Sequence, residues 1–418
     1  MMWGDLMPKR YRREQYLEKI RPFVDDTGLI KVVTGIRRCG KSCLMETVVE
    51  ELRERGVGKD HLVYLDLEKR GLRSVRTPDQ LEEAIEARLP RDAKGVVYLF
   101  VDEVQRVEGY EEVVNAYRAD GSFSVFITGS NSYLLSGELM TNLTGRYVEV
   151  ELFTLSFSEH LGMRRFLGKP EEPLAQSFRS WLRFGGFPKA VEYDDEAAKA
   201  RYIQDVVEQI IQKDIRARRQ IRNRNTFERV MTYVINNFGA PTNLTGIADY
   251  LRNTQGVAIK RETLASYIDL LVAAKVLCRC PRFDVKSRRS LQGGEKYYLA
   301  DTGIYFARNV DATLNYGPLL ENVTFTYLRS RDYAVSVGSV GKLELDFIAR
   351  RTGDSYAYVQ VSMSVADPGV EEREYRPFRS VRDRWPCYLL TLDPLPEGKD
   401  GVRHLNLMEL MVQGSDLE

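Results

Sequence analysis

Apolar and polar positions come in alternating blocks over the first 153 residues. Leu29-Ile-Lys-Val-Val-Thr34 is a short, mostly apolar run, after which Leu44, Val48, Val49 and Leu52 recur every three to four residues. The first pattern predicts a strand and the second a helix with one buried face. The pair repeats, with strands over 62–67, 96–101, 124–128 and 147–152 and helices over 41–55, 78–89 and 110–119. Strand and helix in alternation predict a parallel sheet covered by helices, an α/β architecture.

Further along, the pattern changes twice. From Ser156 to about Phe238 strand signals fade and helical spacing dominates, as in Tyr202-Ile-Gln-Asp-Val-Val-Glu-Gln-Ile-Ile211, so residues 154–239 read as a helical lid. Gly185-Gly-Phe-Pro188 breaks a helix inside it. Over 240–312, two short helices (244–251 and 260–271) precede a strand at 276–280, a basic loop from Arg282 to Gly294 and a return strand at 296–299. That order predicts a winged helix-turn-helix. Residues 313–418 return to mixed α/β character, with a helix around 319–323, strands at 335–337, 343–348 and 356–361, a helix near 372–376 and a strand at 388–392.

The chemistry is densest at the first strand-to-helix junction. Gly35-Ile36-Arg37-Arg38-Cys39-Gly40-Lys41-Ser42 fits G-x-x-x-x-G-K-[ST], and Cys43 follows. Glycines let the backbone turn so that N–H groups meet phosphate oxygens at the positive end of a helix. Lys41 would reach the outer phosphates and the Ser42 hydroxyl would ligate magnesium. Val96 to Val101 is a six-residue apolar run, as in a strand buried on both faces, and it ends in Asp102 and Glu103. Carboxylates there fit a magnesium ligand, Asp102, and a group that orients or deprotonates the attacking water, Glu103. The strand 124–128 ends in Gly129-Ser130-Asn131, where Ser130 and Asn131 can contact the terminal phosphate and the water. Arg146, in Leu143-Thr-Gly-Arg146, is a candidate arginine finger, a contribution of about 10³ to 10⁵ in rate where such residues act. ATP and Mg2+ are the cofactors these residues imply.

Composition narrows the partners. Among 418 residues, 61 basic side chains nearly cancel 60 acidic ones, so affinity for nucleic acid has to come from local patches. One is Lys213 to Arg224, six cations against one acid. Another is the predicted recognition helix with Lys260, Arg261, Thr263, Ser266 and Tyr267, flanked by Lys286, Arg288 and Arg289, whose donors suit phosphates and base edges. A protein partner is the alternative for both. The five cysteines are odd in number, the three histidines show no zinc-ligand spacing, and no secretory signal opens the chain, so a cytoplasmic, reduced protein is expected. No apolar run approaches the roughly 20 residues that span a bilayer.

Taken together, Gly35–Ser42, Val101-Asp-Glu-Val-Gln105, Ile127-Thr-Gly-Ser-Asn131, Leu143-Thr-Gly-Arg146, Gly185-Gly-Phe-Pro188 and Ala300-Asp-Thr-Gly303 resemble the AAA+ ATPases of bacteria and archaea that end in an uncharacterised nuclease-like domain. The likeness covers nearly the whole chain. It implies the AAA+ strand order, a lid that closes over nucleotide, and a homo-oligomer, a ring among the options, with Arg146 acting on its own subunit's ATP or a neighbour's. The four expected domains are an AAA+ P-loop core (1–153), lid (154–239), winged helix (240–312) and nuclease-like domain (313–418).

In that last domain Glu321 on a helix, Asp346 in a hairpin strand and Gln360 on the next strand look like the restriction-endonuclease-like arrangement. Active members of that fold use acids to hold magnesium, with a lysine two residues past the third ligand. Here Gln360 stands where a carboxylate is usual and Ser362 replaces the lysine, with Lys342 a candidate substitute. The departure argues against nuclease chemistry and for a degenerate domain kept for binding or assembly. The expected function is ATP hydrolysis coupled to DNA, and the alternative is a slow ATP-dependent switch or scaffold for a protein partner.

Overall fold

The structure, a computed structural model, describes residues 10–90, 94–129, 145–216, 221, 223–309, 312–351 and 355–417. The chain divides into two compact units, Met1–Leu152 and Phe153–Glu418.

The first unit is built on strands β1 (Ile30–Thr34), β2 (Leu62–Asp66), β3 (Val97–Asp102), β4 (Phe123–Thr128) and β5 (Tyr147–Glu151). They form one sheet in the order β2-β3-β4-β1-β5, with every neighbouring pair parallel. The strands predicted from apolar runs are all present, and their burial follows position. Every residue of β1 and β3 is buried, whereas edge strand β2 alternates between buried and half-buried positions. Helices α1 (Glu14–Ile20), α2 (Lys41–Glu54), α3 (Pro78–Glu86) and α4 (Tyr110–Asp120) accompany the sheet. The core joins Ile30, Val32, Leu65, Leu99, Val101 and Ile127 to Leu81, Ile85 and Val114.

Lys31 lies within this core, fully buried on β1. Its ammonium donates to Asp26 O at 2.7 Å, Leu29 O at 2.9 Å and Ser124 Oγ at 2.8 Å, and stands 4.7 Å from the Phe126 ring centroid. Three protons meet three neutral acceptors. Burial pushes its pKa down to about 7, with Asp26 and Asp25 resisting the shift.

The second unit begins with helices Phe157–Phe166, Leu174–Phe184 and Glu196–Gln209, the last continuing as a wider π-turn over Ile210–Arg216. Ser156 and Glu159 close a capping box on the first of them. Residues 217–220 and 222 of the basic run 213–224 lie outside the described residues. Helices Arg224–Asn236, Leu244–Gln255 and Arg261–Ala273 follow, then strands β6 (Leu277–Asp284) and β7 (Arg289–Leu299). The predicted loop from 282 to 294 is therefore largely strand. Only 285–288 connect the two strands, and Pro281, which has no N–H to donate, falls where the register shifts between Cys280 and Arg282.

This hairpin is not a free wing. With β8 (Ala334–Val340), β9 (Leu343–Arg351), β10 (Ser355–Val361), β11 (Cys387–Thr391) and β12 (Val402–Asn406) it makes one seven-stranded sheet, ordered β12-β11-β10-β9-β8-β6-β7. β6 pairs with β8 in parallel, so the sheet runs across residues 312 and 313. Helices Tyr316–Ser330, Pro368–Tyr375 and Leu407–Gln413 belong to the same unit. Strand β12 and the final helix were not read from sequence.

Two motifs noted in the sequence meet at one buried carboxylate. Asp301 Oδ2 accepts the Gly186 N–H and Oδ1 the Gly303 N–H, both at 2.8 Å, and Thr154 donates its hydroxyl. Gly185 has φ 70°, and a Cβ there would lie 1.7 Å from Asp301 Oδ1, so no other residue fits. Burial raises the Asp301 pKa while the three donors oppose the rise.

Candidate nucleotide site

The phosphate-loop pattern occupies the turn between β1 and α2. Gly40 caps α2 with φ 107° and ψ 21°, and offers no side chain to the first-turn N–H groups. Those donors point outward from the positive helix end, as an anion site requires. Gly35 is demanded by packing, since a Cβ there would meet Leu152 O at 2.3 Å and Cys39 Sγ at 2.8 Å. Cys39 is fully buried beneath the loop, and burial pushes its thiol pKa up. That favours a space-filling thiol over an oxidation-prone one. Of the remaining loop residues, Ile36 is buried, Arg37 half-buried, and Arg38, Ser42 and Cys43 exposed, with Arg38 in left-handed geometry at φ 67°.

Lys41 is buried with its ammonium at the loop mouth, donating to Gly35 O at 3.0 Å and Ile36 O at 3.3 Å. A phosphate oxygen would be a third acceptor. Arg13, which was not singled out in the sequence, braces the same loop. It is buried, donates to Cys39 O at 3.2 Å and stands 4.5 Å over the Tyr16 ring.

Asp102 is where the two halves of the motif converge. It is 2% exposed, accepts Tyr64 OH at 3.2 Å and the Thr128 hydroxyl, and is also bonded by Ser42. The register explains the meeting: β2 and β3 pair Asp66 with Asp102, and β3 and β4 pair Val101 with Ile127. Burial pushes the Asp102 pKa up, the Ser42 and Thr128 bonds pull it back, and the charges of Glu103 and Asp66 add to the rise. A carboxylate so placed gains from a cation beside it. The donor set of Ser42 and Asp102 and the glycine-walled loop thus fit magnesium and a polyphosphate.

Glu103 adopts a left-handed conformation, φ 57° and ψ 43°, which costs a non-glycine residue roughly 1–2 kcal/mol. Thr128 Oγ1 accepts its N–H at 3.1 Å, and Gln105 Nε2 donates to its Oε2 at 2.5 Å. Thr128 therefore touches both acidic residues, a role not read from sequence. Ser130 and Asn131 lie outside the described residues. Arg146 is exposed, and its carbonyl accepts the Ile30 N–H at 2.9 Å.

In the second unit, Lys260, Arg261, Lys286, Arg288 and Arg289 are all exposed. Arg288 is partly engaged, 3.8 Å from Asp383 and 5.4 Å over the Tyr356 ring. Tyr267 is a correction to the predicted contact helix: it is buried, edge-on to Phe227, and belongs to the core. Glu321, Asp346 and Gln360 do gather on one side of the second sheet, but Lys342 is exposed on the turn between β8 and β9. No described helix is long and apolar enough to cross a membrane.

The parallel sheet and its phosphate-loop turn are those of an AAA-type P-loop core. Residues 27–161 match the family model of an AAA domain, and residues 175–313 match that of a domain of unknown function (DUF8612). The chain belongs to the same family as an uncharacterised protein of Haemophilus influenzae, 30% identical over 402 residues, covering 96% of this chain and 98% of that one. An uncharacterised protein of Methanocaldococcus jannaschii is 28% identical over 367 residues, 85% of this chain and 79% of its own. Among solved structures, the Aeropyrum pernix Orc1 protein in complex with DNA aligns at TM-score 0.35 and 13% identity, over 74% of this chain and 94% of that one. AMPPCP-bound DnaA from Aquifex aeolicus aligns at TM-score 0.31 and 11% identity, over 64% and 90%. Similarity this slight assigns no activity to the present chain.

Proposed function

We propose that the chain is a magnesium-dependent ATPase whose nucleotide state is coupled to its second unit, and that this unit acts on DNA. One observation carries the ATPase reading: hydroxyls of Ser42 and Thr128 converge on buried Asp102 beside a loop that holds the Lys41 ammonium at its mouth. In this reading Lys41 binds the outer phosphates, Ser42 and Asp102 hold magnesium, and Glu103 orients the attacking water. Ser130, Asn131 and Arg146 complete the site, Arg146 within one subunit or across a homo-oligomer. The exposed cations Lys260, Arg261, Lys286 and Arg289 support DNA contact by a winged-helix-like element, and the C-terminal strands a degenerate nuclease-like platform.

The test is Glu103→Gln in the full chain. Hydrolysis should fall by about 10² to 10⁴, the usual contribution of a general base, while ATP stays bound. Unchanged turnover removes Glu103 from this role. A slow switch is the second reading, favoured by the Gln105 bond that restrains the Glu103 carboxylate. Under it, Gln105→Ala speeds hydrolysis rather than leaving it unchanged.

A further inference from the structure

The acid cluster of the second unit has a cation already built into it. Lys296, on β7, is 4% exposed, and its ammonium lies 2.7 Å from Glu321 Oε1 on the helix Tyr316–Ser330 and 3.0 Å from Glu344 Oε1 on β9. Tyr298, two residues on, donates its hydroxyl to the same Glu321 oxygen. Asp346, also on β9, uses Oδ2 to accept the Val361 N–H at 2.8 Å; burial and then the Glu321 charge push its pKa well up, with Lys296 and that N–H opposing. Gln360 spends both ends of its amide, accepting the Asp346 N–H at 3.2 Å and donating to Glu374 Oε2 at 3.0 Å. Glu374 in turn is bonded by Arg373.

Glu344, Asp346, Gln360 and Glu374 line an open cleft of about 600 Å³. A divalent ion entering beside Asp346 would face the Lys296 ammonium at close range, and two like charges a few ångströms apart in a partly buried place repel strongly. Of the oxygens that would share the ion, Glu321 Oε1 already accepts from both Lys296 and Tyr298, and Gln360 Oε1 accepts the Asp346 N–H. Among the described residues, no group of three or more acidic, cysteine or histidine side chains is arranged to hold a metal. The residues present therefore do not fit the magnesium that the nuclease-like resemblance implies. Burial works against the Lys296 charge, yet Glu321, Asp346 and Glu344 outweigh it and hold the group above the ordinary lysine range.

We infer that Lys296 is a tethered cation occupying the metal's electrostatic place, so that the cluster excludes divalent ions and instead clasps the β6–β7 hairpin to the helix Tyr316–Ser330 and to β9. The inference is independent of ATP hydrolysis. It accounts for the missing third carboxylate and for Ser362 where active members keep a lysine: a site that carries its own cation needs neither. The clasp also ties the hairpin that bears Lys286 and Arg289 to the helix and strand beside it, so hairpin and platform move as one piece.

The test is Mn2+ uptake, followed by the loss of free-ion electron paramagnetic resonance signal, in the nucleotide-free full chain carrying Asp102→Asn to silence the other carboxylate site. That chain should show no saturable site. Adding Lys296→Met should create one, about 100-fold or more tighter than any residual binding, and adding Asp346→Asn should remove it again. Amide exchange in 277–299 should quicken in the Lys296→Met chain. If Lys296→Met does not fold, Lys296→Gln keeps a polar group of similar reach and makes the same prediction. A saturable site in the starting chain that Asp346→Asn abolishes overturns the inference, as does a folded Lys296 variant that gains no Mn2+.

Discussion

Asp102 and Asp346 are two carboxylates on β-sheets of one chain, and they have been given opposite surroundings. Asp102 is held by hydroxyls, from Tyr64, Thr128 and Ser42, all neutral donors that steady the oxygens without cancelling the charge. Asp346 sits in a group where the Lys296 ammonium already pairs with Glu321 and Glu344, and burial and the Glu321 charge push the Asp346 pKa well up. The first arrangement holds no cation of its own, and the second already has one built in. Neutral donors leave a buried carboxylate to gain from a cation that arrives, whereas a buried lysine supplies that cation from within the fold.

The largest expected effect tests that contrast directly. Asp102→Asn should lower magnesium-dependent ATP hydrolysis by about 10³, the several kcal/mol that a bound metal contributes, while Asp346→Asn should leave it within about twofold. Equal losses in steady-state phosphate release would break the comparison. A smaller effect sharpens it: Thr128→Val deletes the hydroxyl shared by Asp102 and the Glu103 N–H. About a tenfold loss of activity is expected, one to one and a half kcal/mol, with Thr128→Ser retaining most of it.

The smallest effect concerns the two buried lysines. Lys296 is charged because carboxylates bond it directly, whereas the Lys31 ammonium is bonded to a hydroxyl and two carbonyls, and burial outweighs the pull of Asp26 and Asp25 and pushes it down to about 7. Below pH 7 Lys31 is protonated in both the folded and unfolded chain. Between about 7 and the ordinary lysine value near 10.4, the unfolded chain keeps a proton that the folded chain has released, so raising pH through this window stabilises the fold. Calorimetry should show a gain on the order of 1 kcal/mol in the first unit between pH 7 and 8 that Lys31→Met lacks. A flat profile in the parent chain would mean that Lys31 stays charged.

Much of the first unit was legible in the sequence because its signals are local. Six apolar residues in a row, Val96 to Val101, fix a central strand, and Gly35, Gly40, Lys41 and Ser42 lie within a single turn. Arg13, Tyr64 and Thr128 were not legible, since each reaches the site through packing or strand register. Lys296 was missed for the same reason. In the sequence it follows Gly293 and Gly294 like any return-strand lysine, and only the pairing of β6 with β7 and β8 brings it to Glu321 and Glu344. The basic loop was overdrawn because its residues are polar, although β6 and β7 run through most of it as an edge hairpin.

The Asp301 carboxylate draws one N–H from residue 186, one from residue 303 and a hydroxyl from residue 154. A graft or truncation that cuts between those three positions strands a buried acid without its donors, which costs several kcal/mol. The stretch from 154 to 303 is thus a poor source of interchangeable parts. In any recombination between relatives, crossover points on either side of that span should survive, and those inside it should be purged unless both parents carry the same knot.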